Sequence, residues 1–260
     1  MALYSEQFFE EHDFPPVDKP EKVLVVASTP RSGSHMLGHA LYRTGVFGFP
    51  LEYANPANLK EWKRLLELDS LEMVIRELQH RRTSPNGVFG IKLHYSHIRK
   101  FGTFNNVISL FPQAHYVLLT RKSLVKQAVS LSIARQTGRW IHGQGDAKSE
   151  PRYDFEHIDK CLREISLDNA AWRYSLEAKG CSYMEVEYEN LLADFGGAIR
   201  DIAEFMNVAL DNVDVPELPV TKKQGGEMAE EWCRRFITQH DGKSLFSTEN
   251  KSFISRILSR

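Results

Sequence analysis

The sequence predicts an α/β fold in three layers, a central parallel sheet flanked by helices, and three observations carry that expectation. Short unbroken apolar runs rich in Val, Ile and Leu recur along the chain, as strands buried on both faces require. Helix-period stretches alternate with them, the signature of a parallel sheet with helical crossovers. No repeat or low-complexity segment interrupts the alternation. At 260 residues the chain can bury a substantial core and is short for two independent units. One domain over residues 1–260 is therefore expected, with an acidic N-terminal extension at 1–20 and a polar tail at 241–260.

The first strand is Val23–Ala27, which runs into Ser28-Thr-Pro-Arg-Ser-Gly-Ser-His35 and then a helix ending at Thr44-Gly45, where glycine suits a C-cap. Two helices are expected between Asn58 and Arg82, and a second strand at Val88–Tyr95. The third strand, His115–Thr120, leads through Arg121 into a helix from about Ser123. Helical pattern fills Phe155–Lys179, a strand follows at Met184–Glu187, and another helix runs through Met206. The Pro- and Val-rich stretch Val213–Thr221 reads as a loop before a helix from Glu227.

Charge and composition narrow the function. Lys plus Arg (33) nearly balance Asp plus Glu (34), so no global positive field favours nucleic acid and any anion site has to be local. Cys161, Cys181 and Cys233 lie far apart and form no CxxC pair, which argues against a disulfide framework or a zinc site and makes the cytoplasm the expected compartment. Residues 1–20 carry Glu6, Glu10, Glu11 and Asp13 where a signal peptide needs a basic start and an apolar run. No stretch approaches the roughly 20 apolar residues of a transmembrane segment. His94 and His97 suggest no third ligand, so no metal is expected.

The strand, loop and helix around Thr29–His35 are the most informative site. Such a turn aims unpaired backbone N–H groups and the positive end of a helix dipole at one point, a P-loop-like anion cradle. Arg31 adds charge, while Ser32, Gly33 and Ser34 add donors and close approach. The GxxxxGK[ST] pattern of a nucleotide kinase, with its Lys for the terminal phosphates, is absent. Arg121 ends the third strand and Ser130 lies in the helix after it, so both belong at the carboxyl edge of the sheet, where doubly wound folds bind ligands. Two anion sites fit a nucleotide with two separate phosphate groups.

Together these residues resemble a known family. Thr29-Pro-Arg-Ser-Gly-Ser-His35 with Arg121 and Ser130 is similar to the 5′-phosphosulfate loop and 3′-phosphate site of sulfotransferases that use 3′-phosphoadenosine 5′-phosphosulfate (PAPS). Gly45-Val-Phe-Gly-Phe-Pro-Leu-Glu52, Gly87-Val-Phe-Gly-Ile-Lys-Leu93, Gln127-Ala-Val-Ser130, Gln136-Thr-Gly-Arg-Trp140 and Glu231-Trp-Cys-Arg-Arg-Phe236 resemble, in order, the bacterial carbohydrate branch of trehalose 2-sulfotransferases and nodulation-factor sulfotransferases. His35 departs from the small hydroxyl residue of the trehalose-type pattern, and residues 241–260 have no counterpart.

The resemblance implies a sulfotransferase fold, PAPS as donor, a carbohydrate acceptor and a homodimer. It implies that Arg31, Ser32, Gly33, Ser34 and His35 hold the 5′-phosphosulfate, that Arg121 and Ser130 hold the 3′-phosphate, and that Lys223 and Gln224 form a late nucleotide-side loop, for which a solvated loop is the alternative. It places the catalytic carboxylate at Glu52. The apolar setting Phe49-Pro-Leu51 is expected to raise the pKa of Glu52 toward the range of a general base. Lys92 breaks an apolar strand and is read as facing the sulfuryl group or the acceptor, with a structural ion pair as the alternative. Gln136, Thr137 and Trp140 are candidates for an acceptor wall, against a core role for the indole. A P-loop kinase and a non-catalytic nucleotide binder stay open as alternatives.

Overall fold

The computed structural model describes residues 5–140, 149–218, 226–242 and 245. A four-stranded, wholly parallel sheet forms the centre, with β1 (Lys22–Ser28), β2 (Val88–His94), β3 (His115–Thr120) and β4 (Tyr183–Glu187) in the order β2-β1-β3-β4. The order reverses at β1, so the crevice between the carboxyl ends of β1 and β3 is the topological switch point. Register brings Ser28 level with His94 on one side and Leu119 on the other.

Strand residues sort by parity. Val23, Val25, Ala27, Phe89, Ile91, Leu93, Tyr116 and Leu118 face one way, against Trp62 of α2 (Pro56–Leu66), Val74, Ile75 and Leu78 of α3 (Leu71–Arg82), and Trp172 of α7 (Phe155–Ala178). Leu24, Val26, Val117, Leu119 and Val186 face the other, against Leu37 and Leu41 of α1 (Ser34–Arg43) and Ile199 and Ile202 of α9 (Phe195–Phe205). This is the period-2 alternation of a sheet covered on both faces. A third cluster joins α6 (Leu124–Thr137), the first half of α7 and α10 (Glu227–Gln239) through Val129, Ile158, Ile165, Trp232 and Phe236.

The sequence reading and the structure differ in three places. Short helices α4 (Ile98–Phe101) and α5 (Phe104–Leu110) escape it, because so few residues cannot display a helical period. The helix expected after β4 is two, α8 (Tyr188–Ala193) and α9, divided at Asp194, whose side chain accepts from Gly197 N at 2.8 Å and caps α9. The acidic N-terminal segment is tied down: Phe14 N donates to Arg81 O at 2.8 Å, and Asp13 lies 2.6 Å from the buried Arg82 guanidinium. Among the described residues no helix is long and apolar enough to cross a membrane.

Candidate active site

The loop after β1 folds as an anion cradle. Arg31 (φ 67°) and Gly33 (φ 93°) both adopt left-handed backbone, which turns successive amides inward. At Gly33 no other residue fits, since a Cβ there would stand 2.5 Å from the Tyr188 ring. Gly33 gives α1 no side-chain cap, and the first-turn amides of a helix have no intrahelical acceptor. Ser32 Oγ is buried and among the described residues has no hydrogen-bond partner, an orphan that an oxyanion in the cradle would satisfy.

Helices α6 and α7 clamp this loop. Gln127 Nε2 donates to Thr29 Oγ1 (2.8 Å) and Pro30 O (2.7 Å), Thr29 Oγ1 donates to Asn169 Oδ1 (3.4 Å), and Trp172 Nε1 donates to Ser28 O (2.9 Å). Arg31 Nε donates to Ser130 Oγ at 3.0 Å and its Nη1 donates to Trp140 O. Arg121 Nη1 donates to Arg31 O at 3.2 Å, and its guanidinium stacks 4.7 Å from the centroid of Tyr188. Among the described residues Arg121 Nε has no hydrogen-bond partner, with Glu189 Oε1 3.9 Å away. Burial, and then the like charge of Arg121, lower the Arg31 pKa to about 10, still charged at neutral pH. The residues expected at two phosphate sites thus meet around Arg31.

Glu52 is delivered from the other side of β1. Leu51 forms a parallel bridge with Ile91, and Lys92 N donates to Leu51 O at 2.9 Å, so the segment before Glu52 runs beside β2. Gly90 permits this approach, because a Cβ there would collide with Phe47 O. Glu52 Oε1 lies 2.8 Å from Lys92 Nζ and 3.2 Å from His94 Nε2, while Oε2 lies 3.9 Å from His97 Nε2 and accepts from Asn55 Nδ2 at 3.1 Å. His97 Nδ1 accepts the His94 backbone N–H at 3.1 Å, which leaves the proton of the neutral ring on Nε2, toward Glu52. Ser28 Oγ sits 3.0 Å from His94 Nδ1.

The expected rise in the Glu52 pKa is corrected here. Burial does push the carboxyl up, but Lys92, then His94 and His97, outweigh it and hold Glu52 well below the usual carboxylate range. The apolar residues before Glu52 turn into the core and do not surround its carboxylate. His97 is lowered to about 3, chiefly by burial, with His94 next. His35, in the first turn of α1, is kept neutral mainly by burial and by Lys92, and it also feels Glu52 and Arg31.

Other expected positions fare unequally. Gln136 Nε2 donates to Arg152 O (3.0 Å) and Ser132 Oγ (3.2 Å), and its Oε1 accepts from Arg152 N (2.8 Å). Thr137 Oγ1 donates to Ile133 O (2.8 Å) and accepts from Arg139 N (3.2 Å). Their polar groups fasten the end of α6, and Trp140 packs partly on the α6–α7–α10 cluster. Lys223 and Gln224 lie outside the described residues. Sequence reasoning missed His94 and His97 as neighbours of Glu52, and Gln127, Asn169 and Tyr188 as the frame of the cradle. A buried Gln on an apolar helix face was the one available signal.

Fold and site define an α/β protein with a glycine turn and two guanidinium groups at the switch point of its sheet, opposite an ion-paired carboxylate. Residues 23–239 match the family model described as Stf0 sulphotransferase, and the chain belongs to that family. It is 23% identical over 254 residues to the trehalose 2-sulfotransferase of Mycobacterium tuberculosis, covering 82% of this chain and 93% of the relative. The trehalose 2-sulfotransferase of Mycolicibacterium smegmatis is 24% identical over 272 residues, covering 88% and 99%. Among solved structures, the sulfotransferase domain from the curacin biosynthetic pathway superposes with a TM-score of 0.52 at 18% identity, over 94% of this chain and 99% of that one. The Alicyclobacillus acidocaldarius sulfotransferase gives 0.50 at 15% identity, over 94% and 97%. The sulfotransferase fold expected from the sequence is the one observed.

Proposed function

We propose that this protein transfers a sulfuryl group from PAPS to a carbohydrate hydroxyl, with Glu52 as the general base, in one catalytic domain spanning residues 1–260. Family membership supports the reaction class. The observation that supports the rest is the end of β1, where Ser28 Oγ lies 3.0 Å from His94 Nδ1 of the Glu52 cluster and Thr29, the next residue, opens the cradle, so both halves are read as facing one reaction centre. Trehalose, named in the relatives' activity, is the first acceptor to try.

The orphaned Ser32 Oγ, the left-handed turns at Arg31 and Gly33 and an Arg121 Nε without a hydrogen bond, Glu189 lying 3.9 Å away, fit a nucleotide bearing two anionic groups. Arg31, Ser32, Gly33, Ser34 and the first-turn amides of α1 would hold the phosphosulfate end, and Arg121 with Ser130 the 3′-phosphate. The bound donor supplies an activated sulfuryl group. Glu52, ionised at neutral pH, accepts the proton of the acceptor hydroxyl at Oε1, the oxygen shared with Lys92 and His94. His94, held at Nδ1 by Ser28, orients that oxygen. Lys92 supplies positive charge where negative charge develops, and Arg31 and Arg121 do so on the leaving side without a Mg²⁺ motif. Gln136 and Thr137 position the segment carrying Trp140 and contact no sugar in this reading.

The test is incubation of the purified protein with PAPS and a panel of sugars led by trehalose, with mass spectrometry of the products. A mass gain of one SO₃ on a sugar, absent without PAPS, is expected. Phosphorylation from ATP with Mg²⁺, or tight nucleotide binding with no product on any sugar, would replace this reading by a kinase or a nucleotide binder. Sedimentation in the same buffer checks the homodimer.

A further inference from the structure

Helix α7 carries a carboxylate that the reaction above does not use. Asp168 precedes Asn169, which takes the Thr29 hydroxyl, and lies one turn before Trp172, which donates to Ser28 O, so it sits level with the carboxyl edge of the sheet. Helical spacing puts Glu164, Asp168 and Ser175 along one stripe beside the core-facing residues. Both ends of that stripe are pinned: Glu164 Oε2 lies 2.6 Å from Arg135 Nη2 of α6, and Ser175 Oγ lies 2.9 Å from Tyr95 Oη, the residue after β2. The middle is not. Among the described residues Asp168 has no hydrogen-bonding or ion-pair partner, although it is partly buried and within electrostatic reach of His94 from β2, Arg99 from α4, Arg135 from α6 and Glu164 on its own helix.

A carboxylate that is only partly buried and not tied to a neighbouring side chain keeps its oxygens available to a ligand. This stretch of α7 leads to the proposed base: Trp172, one turn on, donates to Ser28 O, Ser28 Oγ lies 3.0 Å from His94 Nδ1, and His94 Nε2 lies 3.2 Å from Glu52 Oε1. Ionised carboxylates accept from two hydroxyls at once, as vicinal diols of a sugar present them.

We propose that Asp168 recognises the acceptor, its carboxylate accepting hydrogen bonds from sugar hydroxyls next to the Glu52–His94 pair and thereby selecting which hydroxyl reaches Glu52. This rests on the sugar-acceptor reading above. Asp168 is a specificity-determining residue and takes no proton in the reaction. Burial, with Glu164 opposing ionisation and His94, Arg99 and Arg135 favouring it, raises its pKa to about 6, so acceptor binding by this group is complete only above that pH. The same shift gives a second readout. A native-state pKa raised above its ordinary 3.8 means that ionised Asp168 opposes folding above about pH 6 and ceases to do so toward pH 3.8.

The experiment compares Asp168→Asn with wild type, full chain, using the panel sugar that wild type turns over. Charge-assisted hydrogen bonds correspond to roughly a 10- to 100-fold rise in acceptor KM, with a smaller fall in kcat. Affinity for 3′-phosphoadenosine 5′-phosphate should stay within about twofold, and the melting temperature at pH 8 should equal or exceed that of wild type, with the gain shrinking by pH 5. An unchanged acceptor KM in an active variant overturns the proposal and leaves the sulfotransferase reading standing. So does a variant that loses stability and nucleotide affinity together, since that marks a structural residue. Absence of sugar turnover by wild type itself overturns both.

Discussion

The cradle and the carboxylate cluster flank the same strand yet are finished to different degrees. Around Glu52 the carboxylate is already engaged: Lys92 pairs with it, and His94, His97 and Asn55 all point at it. Around Gly33 the side chains secure one another but leave Ser32 Oγ and Arg121 Nε without hydrogen bonds, and two guanidinium groups raise one another's cost of burial. A region that is electrostatically closed is ready for chemistry on a neutral reactant. One left open and positive is ready to be closed by an anion.

The largest break in this comparison comes from Glu52→Gln, which keeps shape and removes the proton acceptor. Turnover should fall by roughly 10² to 10⁴, while affinity for 3′-phosphoadenosine 5′-phosphate, measured by calorimetry, barely changes. Retention of more than about a third of turnover with chemistry rate-limiting would take the base role away from Glu52.

Next in size is the cradle. Arg121→Ala should weaken nucleotide binding by roughly 10- to 100-fold, the range of charge-assisted contacts to phosphate. The exposed neighbour Lys122 is the control, and Lys122→Ala should be near wild type. Equal calorimetric affinities for the two variants would remove Arg121 from the anion site.

A smaller effect separates the two halves by pH. Because the native pKa of Glu52 is depressed, its contribution to stability is present above the ordinary value of 4.5 and is lost as pH falls through the lower native value. Lys92→Met removes the largest opposing charge and leaves the desolvation, so the Glu52 pKa should rise. The acidic limb of the kcat/KM profile should move to higher pH in that variant. A limb that stays in place would mean that Lys92 does not control Glu52.

The smallest expected change sharpens the contrast with a surface carboxylate. Glu61 is paired with Arg64 on the outer face of α2 at 2.7 Å, where solvent screens the pair and leaves it little effect on stability. Glu61→Gln should leave turnover and melting temperature close to wild type in the same assays, and a large loss would show that truncating any carboxylate near α2 disturbs the site.

Local rules determined much of this protein from sequence alone. Apolar runs such as Val23–Ala27 and His115–Thr120 are strands because both faces are buried, and Thr29–His35 is a cradle because a strand-to-helix turn exposes amides whatever surrounds it. Arg31, Gly33 and Arg121 could be singled out from their places at strand ends, and Glu52 only from the ordered motifs of the family resemblance; the roles proposed for all four await the experiments above. What Glu52 would meet was not legible. Its apolar neighbours in the chain suggested a raised pKa, but the parallel pairing of Leu51 with Ile91 brings it to Lys92, His94 and His97, and these reverse the sign. Gln136 and Thr137 looked available and are engaged by Arg152, Ile133 and Arg139. Asp168 looked like one more acid on a long helix until α7 was laid across the edge of the sheet. Chain-local conformation is encoded by neighbours in sequence, whereas a carboxylate's charge state and partners depend on groups within a few ångströms, and only the tertiary structure decides which those are.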